Sequence, residues 1–161
     1  MWPTIVAVLG TLAGATLAGY AQRSGDRQAR EHAHRQEVKH AVAELLEAVV
    51  RYRETHWLFV ESRRAGDAET AGERAARATT RSAATVARDR VGLLVDSEPA
   101  LLGAIETAWR TAVELPNIVL GPATNGRFAP EVEAALETAR EASRAAHTEL
   151  RRAGSAYVHA R

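Results

Sequence analysis

From residue 38 onward, apolar side chains return every three or four positions. Val38, Val42, Leu45, Val49, Tyr52, His56 and Phe59 form one row. Val132, Leu136, Ala139, Ser143, Ala146, Leu150, Ala153 and Tyr157 form another, and Leu101, Ile105, Ala108, Ala112 and Leu115 a third that Pro116 interrupts. Such spacing predicts helices with one face turned to a core. Over 68–95 the row is thinner: Thr79, Ala83, Val86 and Leu93 fit it, and Arg90 falls on it. Seams of alternating three and four predict shallow crossings, as in coiled coils and bundles. No stretch alternates with period two, so no strand is predicted.

Punctuation separates the rows. Ala65-Gly66-Asp67 stops one helix, and Ser97 can cap the helix that Pro99 opens. Gly121-Pro122-Ala123-Thr124-Asn125-Gly126 is the longest loop-like stretch, and Pro130 opens the last helix. The predicted fold class is all-α: a single N-terminal transmembrane helix, then an antiparallel helical hairpin or bundle over residues 38–161.

The transmembrane helix is read from residues 1–22. No charged side chain occurs between Trp2 and Tyr20. A helix of that length spans roughly 28 Å, near the thickness of a bilayer's hydrocarbon. Trp2 and Tyr20 bracket it as interfacial residues do. Gly10, Gly14 and Ala18 lie on one face, where small residues let membrane helices pack closely. A cleaved signal peptide is the rival, with Ala13-Gly14-Ala15 resembling a cleavage site. Against it, no base precedes the run, which continues past that site. Arg23, Arg27, Arg30, Arg35 and Lys39 all follow the run, so residues 23–37 read as a basic juxtamembrane segment. Basic residues mark the cytoplasmic side. The expected location is thus the cell membrane, single-pass, with the N-terminus outside and the C-terminal domain cytoplasmic. The same bases are candidates for lipid head groups, diluted by Asp26, Glu31 and Glu37. Ser24-Gly25-Asp26 is either a hinge or is crossed by a continuous helix. Outside lipid, the same glycines would serve close packing within a protein assembly.

Composition narrows the function classes. The 161 residues carry a formal net charge of +1, too near balance to mark a nucleic-acid binder or an acidic tail. Cysteine is absent, which excludes disulfides, thiolate nucleophiles and Cys-ligated zinc. Lys39 is the only lysine, and arginine with abundant alanine points to GC-rich, actinobacterial-type coding. Alanine, serine and threonine on the seams bury little apolar area at about 25 cal/mol per Å². A monomer is expected to be marginal, and a homo-oligomer or a partner helix would relieve this.

Chemistry is sparse. Glu37 and His40 make one Glu-x-x-His without the second copy that di-iron bundles use. His56, on its seam, is expected to be half-buried with its polar edge at the rim. Arg74, Arg77, Arg81 and Arg88 share a face and are candidates for nucleic acid, or for pairing with Glu69 and Glu73. The loop at 121–126 lacks the Lys-Ser/Thr of a phosphate loop. Trp57 and Trp109 read as core or interface anchors. No set of residues makes a catalytic centre, and no cofactor or metal is expected.

The opening MWPTIVAVLGTLAGATLAGYAQR resembles the start of small actinobacterial KilB-like proteins. The plan also matches: an Arg/His/Gln-rich stretch, RQAREHAHRQE, then alanine-rich helices with ETHW near the middle. The name comes from plasmid genes tied to kill functions and plasmid spread during mating in Streptomyces. The resemblance implies a membrane-associated protein of mating-related transfer and carries over no active-site residue. The function expected is a membrane-anchored, non-catalytic interaction or scaffold protein with an unidentified protein partner. The alternative is a membrane-tethered protein that associates with nucleic acid through the arginine stripe.

Overall fold

The computed structural model describes the backbone of residues 2–95 and 97–159, and the side chains of residues 25–95 and 97–159. It is all-helical. Helix α1 spans Trp2–Arg64, α2 Ala71–Leu94, α3 Pro99–Val113 and α4 Pro130–His159, with a 3-10 turn at Leu115–Asn117. The chain divides into two compact units, Met1–Glu37 and Val38–Arg161. Helix α1 runs without interruption through Ser24-Gly25-Asp26, so the continuous alternative holds there. Among the described residues no helix is long and apolar enough to cross a membrane. The predicted anchor, with Gly10, Gly14, Ala18 and Arg23, lies outside the described side chains.

The second unit is an up-down-up-down bundle. Glu44 of α1 meets Arg90 of α2, while Phe59 meets Arg77, so these two helices run antiparallel. Thr85 meets Trp109 and Arg88 meets Glu106, which makes α2 and α3 antiparallel as well. Helix α4 descends along α1: Arg64 pairs with Glu133, Arg53 donates to the Ser143 carbonyl, and Gly154 faces Val42. A Cβ on Gly154 would sit 2.9 Å from Val42 Cγ1, closer than real Cβ contacts. Glycine is favoured there by the close approach of α4 to α1.

Local signals explain the breaks. Gly66 ends α1 at φ 89°, where a residue with a Cβ is strained. Its N–H bonds to the Arg63 carbonyl, and Asp67 N–H bonds to the Ser62 carbonyl, closing a Schellman motif. Thr70 and Glu73 form a capping box that starts α2. Glu98 rather than Ser97 holds the cap position of α3, without a side-chain bond; Pro99 sets the start by its fixed φ. Asn125 and Gly126, both at positive φ, make a tight turn closed by paired bonds between Thr124 and Arg127.

The rows on α1, α3 and α4 turn inward as predicted. Val38, Leu45, Val49, Tyr52, Leu101, Ile105, Ala108, Ala112, Ala146 and Leu150 share one core with Val91 and Val95. A smaller cluster of Val60, Phe128 and Leu136 lies under the 118–129 loop. The row on α2 is the exception. Ala84 and Val91 are its buried positions, whereas Val86 is 68% and Leu93 86% exposed, with Thr79, Ala83 and Arg90 also exposed. The inward face is displaced by one residue from the predicted row.

Candidate functional site

Arginine explains the displacement. Arg77 and Arg88 flank the inward face of α2 and lie over aromatic rings. The Arg77 guanidinium is 3.7 Å from the Phe59 centroid, and that of Arg88 4.1 Å from Trp109. Arg77 also pairs with Glu69, and Arg88 with Asp89 and Glu106. Such stacking lets a guanidinium cover apolar surface while keeping its charge hydrated at the edge. Arg74, 70% exposed, pairs at 3.5 Å with the same Glu69. Arg81 is exposed near Tyr52. The four arginines are therefore not one open track: two point outward and two are folded into the flanks of α2. Glu69 serves the pairing expected of it, while Glu73 serves the cap, its carboxyl held low by the Thr70 backbone N–H.

The basic segment is partly paired too. Arg27 bonds to Glu31 at 3.1 Å, Arg30 and Lys39 are exposed, and Arg35 is partly covered. His40 meets Glu44 rather than Glu37, and among the described residues no three potential ligands cluster around a metal position.

The displaced face of α2 leaves its predicted seam open. Thr79, Ala83, Val86, Arg90 and Leu93 keep heptad spacing on the outside of the bundle. Four of them, Thr79, Ala83, Val86 and Arg90, line a groove of about 700 Å³ between α1 and α2, together with Ala48 and Ala87. Its walls carry Glu44 and Glu47, and Arg51 and Arg90. Each acid already has a basic neighbour, Arg51 to Glu47 and Arg90 to Glu44, both at 2.6 Å.

At the loop end lies a second cavity, of about 520 Å³, lined by His56, Phe59, Arg63 and Arg77 together with Pro116, Ile118, Leu120, Gly121 and Pro122. His56 is 1% exposed, not half-buried as its seam position suggested. The 118–122 segment closes over the rim that the sequence left open. Neither His56 nitrogen has a hydrogen-bond partner among the protein atoms, and Arg77 Nε has none either. Burial, then the charge of Arg77, pushes the imidazole pKa down to about 4, so the ring is neutral at pH 7. Burial and the nearby Arg53 charge likewise lower His147 on α4. The sequence missed this cavity because its walls come from three separate segments. The one available signal was His56 on an otherwise apolar seam.

The comparisons address the bundle. A family model described as KilB plasmid transfer protein matches residues 39–158. A curated relative, Protein KilB of Streptomyces lividans, is 36% identical over 117 residues, covering 71% of this chain and 78% of the relative. The family match thus lies in the helical bundle, not in the opening residues that carried the resemblance. No solved structure matches the chain.

Proposed function

Because the chain belongs to the KilB plasmid transfer protein family, we propose that it is a membrane-tethered, non-catalytic helical interaction protein of plasmid transfer. The uncharged run from Trp2 to Tyr20, followed by Arg23, Arg27, Arg30, Arg35 and Lys39, supports the tether and its cytoplasmic bundle. The open seam of α2 carries the interaction reading. Its heptad spacing, with Val86 and Leu93 exposed on it, suits pairing with another helix.

The occupant is a second copy of this chain. About Val86 the seam is complementary to itself: Thr79 and Ala83 are small, while Arg90 and Leu93 are large. Antiparallel pairing around a two-fold axis sets each large residue opposite a small one. The groove walls carry both signs of charge, so they too can face themselves. An arginine track for DNA gains less support, since Arg77 and Arg88 turn to Phe59 and Trp109.

The cysteine-free chain offers a direct test. Val86→Cys in the membrane-bound protein should form a disulfide dimer on mild oxidation. Leu58→Cys, 72% exposed on α1, should not. Equal cross-linking of both variants, or of neither, removes the seam as the interface. Release of the tagged full-length chain from membranes by an alkaline wash removes the tether. Abolished plasmid spread in matings with a Leu93→Glu strain would link the seam to transfer.

A further inference from the structure

We propose that the cavity between His56, Arg77 and the 118–122 segment binds a small organic anion, a carboxylate on an apolar body. Three observations carry this. The cavity is of ligand size, about 520 Å³. It holds polar atoms that the fold leaves unserved: both nitrogens of the buried His56 and Nε of Arg77. Two of these atoms are donors, the Arg77 Nε–H and the N–H of the neutral imidazole, and an acceptor on a ligand would pair them.

The lining decides the chemistry. Arg63 and Arg77 bring two guanidinium groups, and no carboxylate lines the cavity. Glu69 pairs with Arg77 from outside that lining, and Asp67 offers Arg63 only its backbone carbonyl, at 2.6 Å. The remaining lining is Phe59, Pro116, Ile118, Leu120 and Pro122, with Gly121. A carboxylate is an acceptor only, so it takes the Arg77 Nε–H and the N–H of the neutral His56 imidazole. The apolar walls take the body. A cation would meet two like charges, and a neutral apolar molecule would leave the donors unserved.

The test uses the full-length chain with ring-labelled histidine, assigning the His56 signal by its loss in His56→Phe. Phenylacetate is the probe and phenylacetamide its neutral counterpart. Phenylacetate is expected to shift the His56 ring signal saturably; phenylacetamide, whose carbonyl accepts without charge, should need about tenfold more for the same shift. Arg77→Gln should weaken the response about tenfold, the equivalent of ~1.4 kcal/mol. Should Arg77→Gln fail to fold, Arg63→Gln at the rim should weaken it as well. A shift that never saturates, equal shifts from acid and amide, or a response untouched in a folded arginine variant overturns the proposal.

Discussion

Helices α2 and α4 look alike in sequence and end in opposite situations. Each is rich in alanine and arginine, and each shows a row of three-and-four spacing. On α4 the row is the buried face: Leu136, Ser143, Ala146 and Leu150 all turn inward. On α2 the corresponding row faces water, and the neighbouring row with Ala84 and Val91 is buried. The difference lies in what flanks each row. Arg77 and Arg88 approach rings of α1 and α3 to 3.7 and 4.1 Å, whereas Arg140 of α4 stays 5.4 Å from Trp57, so arginine covers the bundle closely only beside α2's buried row. Apolar spacing alone ranks such arginines as outward, although their stems cover apolar surface and their planar heads stack on rings.

The contrast can be pressed by substitution. Leu150→Ala on the closed seam should cost about 2–5 kcal/mol, read as a fall in the denaturation midpoint, since a fully buried leucine leaves a cavity. Acidification should expose a further weakness on the closed side. His56 titrates near 4 in the fold and near its ordinary 6.5 when unfolded, so the unfolded chain takes up the proton first. Stability should therefore fall as pH drops from 6.5 towards 4, by on the order of 3 kcal/mol in all. His56→Phe should flatten most of that slope, leaving the smaller contribution of His147, which has the same sign. Glu73 and Glu133, whose carboxyls lie below the usual range, lose their contribution only at lower pH. Gly154→Val should cost about 1–3 kcal/mol by driving α4 off Val42. Leu93→Ala on the open seam should change monomer stability by less than about 0.5 kcal/mol, yet weaken the cross-linked dimer of Val86→Cys. A large stability loss from Leu93→Ala in a monomeric sample would place that row in the core after all.

Much of the bundle was legible because its seams repeat locally. The rows on α1, α3 and α4, the Gly66 stop, the Pro99 and Pro130 starts and the break at Pro116 each depend on neighbouring residues. The register of α2 depends on Phe59 and Trp109, which lie on other helices, and a one-residue shift changes no composition. The cavity was less legible still. His56 could be placed on its seam, but its complete burial needs Ile118, Leu120 and Pro122 to fold back across the end of the bundle. No periodicity links residue 56 to residue 120.

An even number of antiparallel helices brings the chain back to the end where it entered. Val38 and Tyr157 contribute to the same core, while the Gly66 turn and the 118–129 loop cap the far end. A fluorescent protein or an affinity matrix attached after α4 would therefore hang beside the entry of the bundle. The end that carries His56 would stay unobstructed, so imaging or pull-down reagents can be attached after α4 without masking the cavity beside His56.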